Sequence, residues 1–249
     1  MTEAFNDHFS ARSADYAAYR PGYPAALGDY LASLPETRET ALDLGCGSGQ
    51  LSLLLTEHFD HVHGRDASAE QIAHAVPHPK VDYAQARAEA TGLADASVDL
   101  LTVAQAAHWF DLAPFYEEVR RVVKPGGALA LISYGVIEGP GPVGDVLKDL
   151  YANVLAGYWP PGREYVEAGY ATMPFPFTET ESPTLYMEAD WPLEGLAGYI
   201  ATLSSAMRAE KALGPEPFAR FRAALAKVWG DPAEPKPFRW PLAIRAARL

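Results

Sequence analysis

The sequence predicts a doubly wound, mostly parallel α/β sheet of seven strands, and three observations carry that expectation. Between Thr40 and Ser133 short apolar runs alternate with stretches of helical spacing, the pattern of repeated strand–helix–strand units. The first run stops on glycines in "ALDLGCGSGQ", residues 41–50, where a chain leaving a strand must turn tightly. After Tyr134 the composition shifts to proline, glycine and aromatics, as in "GYWPPGREYVEAGY" and "MPFPFTETESP", before regular patterns resume.

Taken in order, residues 5–34 alternate helical spacing with the breaker "RPGYP". This predicts a helix, a turn from Arg20 to Pro24, and a second helix ending before Pro35. "TALDL", "HVHGRD", "VDYAQA", "VDLLTV" and "ALALIS" are the first five strands. Ser68 and Gln71 form a capping box for the helix "AEQIAHAV". "APFYEEVRRVVKPGG" is an amphipathic helix stopped by Pro125 and Gly126. "TLYMEADW" and "FRWPLAIRAARL" supply two more strands, with helical patterns near 193–207 and 215–229. The 249 residues suit a single domain with an insertion. Its parts are an N-terminal helical cap (1–39), a ligand-binding core (40–133), a lid (134–182) and C-terminal strands and helices (183–249). The lid is placed over the carboxyl edge of the sheet, where open α/β sheets bind ligands.

Composition narrows the function. A net charge of −12, without a Lys/Arg block, disfavours nucleic acid. Cys46 is the single cysteine and has no internal disulfide partner. The N-terminus has neither a basic start nor an apolar signal core, and no apolar run reaches roughly 18 residues. No membrane span and a cytoplasmic location are expected; nothing indicates an oligomeric state.

Spacing sorts the ligands that favour glycines after a first strand. No Lys follows these glycines, so the P-loop pattern is absent. Gly45, Gly47 and Gly49 read G-x-G-x-G, and Gln50 stands where the dinucleotide fingerprint has its third glycine, which demotes NAD without eliminating it. Asp66, at the end of the second strand, falls where an acid accepts from adenosine ribose hydroxyls; a helix-start acid beside Ser68 is the alternative role. Asp43 places negative charge by the loop, which suits a cationic ligand better than a pyrophosphate. S-adenosylmethionine has an adenosine, an ammonium and a sulfonium and lacks phosphate, so it fits.

"LDLGCGSGQ" and "GRDAS" resemble the first two motifs of the class I S-adenosylmethionine-dependent methyltransferases. "RAEATGLADASVDLLTVAQAAHWFD" and "EEVRRVVKPGG" resemble the later parts of the type 11 methyltransferase domain. The segments "FSARSADYAAYRPGYP", "AQAAHWFD", "YWPPGREYVEAGY" and "WPLEGLAGYIATLSS" extend the likeness to trans-aconitate methyltransferase-like proteins. The resemblance implies a Rossmann-like sheet, S-adenosylmethionine as cofactor, and a small-molecule methyl acceptor, with a carboxylate oxygen preferred. A C- or N-methyltransferase of the quinone-biosynthesis type and a non-catalytic cofactor-binding protein are the alternatives.

It also implies residue roles. Gly45, Cys46, Gly47 and Gln50 meet the methionine part of the cofactor, Asp66 the ribose, and Ala67, Ala88 and Glu89 the adenine side. Arg87 stands where many relatives have an Asp. Gln105 and Ala106 close the cofactor site at the end of the fourth strand, and Arg20 reaches it from the N-terminal segment. His108 is the candidate base, beside a reading in which "HWF" only walls the site. His108, Trp109, Tyr158, Trp159 and Arg163 are the candidates for binding the methyl acceptor. Tyr165, Tyr170, Phe175 and Phe177 are either further wall or satellite core. His58, His61 and His63 raise a metal site, but the strand pattern puts no Cys or acidic set beside them, and no metal is expected.

Overall fold

Residues 21–249 are described by the structure, a computed structural model. The first expected helix and Arg20 lie outside the described residues. Five strands, β1 (Thr40–Leu44), β2 (His61–Asp66), β3 (Val81–Gln85), β4 (Val98–Ala104) and β5 (Val123–Tyr134), pair in parallel in the order β3-β2-β1-β4-β5. β8 (Lys236–Arg248) runs antiparallel to β5. β6 (Glu179–Thr180) and β7 (Leu185–Trp191) follow one another along the other edge of β8, so the sheet is seven positions wide. This is the class I methyltransferase strand order, with a helical and aromatic insertion after β5.

The apolar runs of β1, β4 and β5 are nearly continuous because both faces are buried, and successive side chains enter different cores. Ala41, Leu100, Ala128, Ala130 and Ile132 face one side, against α1 (Ala25–Ala32), α2 (Gln50–Leu55) and the C-terminal helices α7 (Leu193–Ala201), α8 (Ser204–Leu213) and α9 (Glu216–Trp229). Leu42, Leu101, Val103, Leu129 and Leu131 face the other, against α4 (Leu112–Val122), which buries Phe115, Tyr116, Val119 and Val122 at helical spacing. A short helix, α3 (Ala69–Ala73), is capped by the Ser68 hydroxyl accepting from the Gln71 N–H at 3.3 Å. Residues 86–97, which return the chain from β3 to β4, carry no helix.

Three local patterns differ from the sequence expectation. α4 passes directly into β5: Val98 pairs with Val123 while Leu100 already pairs with Ala128, so "KPGG" is a bulge in the strand instead of a loop. The pattern near 193–207 is two helices, α7 and α8. The insertion carries α5 (Gly141–Asp149), a π-turn over Leu150–Leu155 and α6 (Arg163–Glu167), so it is more regular than its composition suggests. Pro142 inside the first turn of α5 is compatible with the helix because its missing N–H has no partner there.

Candidate active site

The glycine loop lies between the carboxyl ends of β1 and β2. Gly45, Gly47 and Gly49 take φ of 71°, 55° and 92°, left-handed values that a Cβ would strain. A side chain on Gly49 would also overlap Tyr83, and one on Gly45 would strike Ala106. The N–H groups of Gly45 and Cys46 both donate to the Arg65 carbonyl, at 2.7 and 3.0 Å, which fastens the loop to β2. Asp66 completes it, accepting from the Gly47 N–H at 2.9 Å and the Ser68 N–H at 2.8 Å. Both roles expected of this acid are thus compatible: it braces the loop and the following helix, and each of its oxygens can accept twice.

Asp43 is buried beneath the loop, accepting from Ser52 Oγ at 2.6 Å and Thr102 Oγ1 at 3.4 Å. Burial raises its pKa to about 6, against the pull of those bonds. It is placed to act through its field on a bound cation. Burial also pushes the Cys46 thiol up, with Asp43 and Asp66 adding to the effect, so the thiol stays protonated near neutral pH. The nearby cation, Arg65, is turned away: its guanidinium binds Asp82 Oδ2 at 2.7 Å and the Asp82 carbonyl at 2.6 Å. A loop with bare backbone, two carboxylates and no Lys or Arg of its own fits the cationic S-adenosylmethionine better than a pyrophosphate, whose charge the carboxylates oppose.

Past the end of β2, Gln85 Nε2 donates to the Ala67 carbonyl at 2.8 Å, and Ala88 is buried. Glu89 accepts from the Asp111 N–H at the start of α4 and from Arg87 Nε, both at 3.2 Å. Glu118 secures this connection to α4 through Thr91 and Arg121, whose bonds hold its carboxyl down at about 2.

Beyond the loop, a cavity of about 110 Å³ opens at the ends of β4 and β5. Gln105, His108 and Trp109 line it from the segment that follows β4, Tyr134 from β5, Tyr151, Trp159 and Arg163 from the insertion, and Tyr199 and Ser204 from α7 and α8. His108 Nδ1 lies 2.9 Å from the hydroxyl of Tyr170, which is fully buried. Burial and the Arg163 charge bring the His108 pKa to about 4, so the ring is neutral at physiological pH. Arg163 stacks on Trp159 at 3.9 Å and pairs with Glu167 at 3.2 Å; only 17% of its side chain is exposed.

Tyr158 packs against the core and is absent from the lining. Phe175 and Phe177 pack on Tyr116 in the second core, and Tyr165 joins the same cluster. Tyr134, Tyr151, Tyr199 and Ser204 escaped the sequence reading. Tyr151 follows Val143 and Leu147 at helical intervals, a signal masked by the surrounding glycines and prolines.

The histidine question takes a different form in three dimensions. Parallel pairing sets His63 opposite Asp82, so His61, His63 and Asp82 approach one another within 4.8 Å. An acidic partner is therefore present after all. Arg65, however, lies 3.3 Å from His63 Nδ1 and binds the same Asp82 oxygen, so a guanidinium already stands where a metal would balance the charge. His58 is remote from this group and pairs with Asp29 at 3.8 Å.

Residues 42–131 match the methyltransferase domain family. Over 204 residues the chain is 34% identical to a methyltransferase-like protein of Dictyostelium discoideum, covering 80% of this chain and 78% of that protein. A solved structure of a type II methyltransferase-like protein from Anaeromyxobacter dehalogenans superimposes with a TM-score of 0.88 at 46% identity, covering 92% of this chain and 98% of that one. The trans-aconitate 2-methyltransferase of an Azoarcus strain matches at 38% identity over 111 residues, 43% of this chain and 44% of that protein. Several other curated relatives are matched over about half of their own length. No helix among the described residues is long and apolar enough to cross a membrane. With the glycine loop, its two carboxylates, the strand order and these relatives in agreement, the chain belongs to the class I S-adenosylmethionine-dependent methyltransferases.

Proposed function

We propose that this enzyme methylates a carboxylate oxygen of a small acid. The carrying observation is the pair of polar groups in the cavity: a largely buried Arg163 held flat on Trp159, beside a neutral His108. An acidic protein repels an anionic acceptor unless a local cation offsets its field, and a planar guanidinium can grip a carboxylate through two hydrogen bonds. A histidine with so low a pKa is a weak base, which favours an acceptor already ionised near neutral pH over a phenol, amine or carbon acid. The Azoarcus relative, named for a small acid, points the same way.

In this reading Gly45, Cys46, Gly47 and Gln50 border the methionine end of the cofactor. Asp66 holds the ribose, and Ala67, Ala88 and Glu89 line the adenine side. Bound there, S-adenosylmethionine would supply a methyl carbon on a sulfonium, whose S–C bond would break as the carboxylate oxygen took the methyl group, leaving an ester and S-adenosylhomocysteine without proton transfer. The chain's own contribution is alignment: Arg163 orients the anion, Trp109 and Trp159 exclude water, and Tyr170 fixes the His108 ring. Residues 134–182 serve as the cover that selects the acceptor.

The test is release of S-adenosylhomocysteine across a panel of small acids, amines and phenols. An acid should be the substrate, and Arg163→Ala should lower its kcat/KM about tenfold or more, on the order of 1.4 kcal/mol, with unchanged cofactor affinity. Turnover confined to amines or phenols, or an Arg163→Ala variant that handles the acid normally, refutes the reading.

A further inference from the structure

Gln105 is the most constrained residue of the cavity. Its φ is +54°, a left-handed conformation that residues with a side chain seldom adopt and that tends to persist where function demands it. Its Nε2 donates to the Tyr134 carbonyl at 3.1 Å. Turning the amide over would set Oε1 against that same carbonyl, so the orientation of the group is determined. Oε1 is shut off from solvent and has no hydrogen-bond partner. An acceptor atom withdrawn from water without a donor is rare and calls for an explanation.

Two features place that atom on the acceptor side of the site. β4 lies between β1, which carries the glycine loop, and β5. Gln105 reaches toward β5, whereas the next residue, Ala106, is the one that meets Gly45 of the loop. Gln105, Arg163 and His108 line the same cavity, together with Tyr134, Tyr151, Tyr199 and Ser204. In the tautomer in which Tyr170 donates to Nδ1, His108 keeps its proton on Nε2.

We propose that the methyl acceptor donates a hydrogen bond to Gln105 Oε1, so that the enzyme selects acids that carry a hydroxyl group in addition to the carboxylate. This rests on the carboxylate reading given above. Gln105 then discriminates between substrates, because an acid without the hydroxyl leaves a buried oxygen unmatched, a mismatch that hydrogen-bonding sites reject strongly.

Matched acids provide the test: malate against succinate, and citrate against tricarballylate. Methyl transfer is followed by S-adenosylhomocysteine release, and binding by quenching of Trp109 and Trp159 fluorescence with S-adenosylhomocysteine present. The parent should prefer the hydroxylated member by about tenfold or more in kcat/KM. Gln105→Met should bring the ratio to within about twofold while the thermal midpoint stays near the parent's. Equal use of both members of each pair by the parent overturns the proposal and leaves the carboxylate reading intact. So does a Gln105→Met variant that keeps the preference but loses about tenfold in S-adenosylhomocysteine affinity, since the oxygen then belongs to the cofactor's ammonium. If none of these acids is bound or methylated, the hydroxy-acid proposal falls, and the wider panel of acids, amines and phenols decides the carboxylate reading.

Discussion

Replacing Asp43 by Asn should stabilise the folded protein considerably more at neutral pH than in mild acid. The carboxyl is buried, and its folded pKa is about 6 against an ordinary 3.8. The folded state therefore holds this proton more tightly than the unfolded chain. Stability from this group is greatest below 3.8, falls as pH climbs, and reaches its floor above about 6. At 1.36 kcal/mol per pH unit the difference is about 3 kcal/mol, carried as a penalty at neutral pH. Asn avoids it with little rearrangement: its amide oxygen can still accept from Ser52, and its NH2 can donate to Thr102 Oγ1. Urea unfolding of parent and variant without cofactor, at pH 4.5 and pH 8, isolates the effect because other titrating groups cancel in the comparison. The variant's advantage should widen by about 2 kcal/mol between those pH values. A gap that does not change with pH would refute the argument, since Asp43 would then ionise in the fold as readily as in water. The variant should also bind S-adenosylmethionine more weakly, having given up the carboxylate beneath a cationic ligand, a stability–activity exchange typical of binding sites.

Asp66→Ala should weaken cofactor affinity by about 1.5–3 kcal/mol by calorimetry. It should also lower the thermal midpoint of the cofactor-free protein, because the Gly47 and Ser68 N–H groups lose their acceptor; an unchanged affinity in a folded variant removes Asp66 from the site. His63→Ala should leave cofactor affinity unaltered, and the purified protein should carry no stoichiometric zinc by elemental analysis. Finding one zinc per chain would mean that Arg65 yields its place beside Asp82.

Strands β1, β4 and β5 were legible because burial on both faces demands apolar runs, and alternate residues of those runs entered the two cores as strand geometry requires. The cofactor loop was legible because its glycines answer a backbone need that spacing alone exposes. What sequence could not convey depends on contacts between distant positions. Tyr170 reaches His108 across 62 residues, and only the folded insertion reveals that the histidine has its ring nitrogen engaged. Asp82 came to lie beside His63 through the parallel register of β2 and β3. The helix α5 was hidden because "GPGPVG" reads as loop, although a proline in the first helical turn is a permitted start. The break between α7 and α8 falls at Thr202, whose hydroxyl donates to the Tyr199 carbonyl and ends the first helix with a local bond that hydropathy does not record.

The antiparallel strand β8 bears on how the protein is made. β5 receives its second neighbour from residues more than a hundred positions downstream, with Ala128 set opposite Arg248. At about 5–20 residues per second, a ribosome needs on the order of ten seconds to deliver that partner. Throughout that wait Ala128, Leu129, Ala130, Leu131 and Ile132 present an unpaired, strongly apolar edge, a template for strands of other nascent chains. Soluble yield should therefore depend on conditions that shorten or shield this interval, such as chaperone supply, more than on the thermodynamic stability of the finished enzyme.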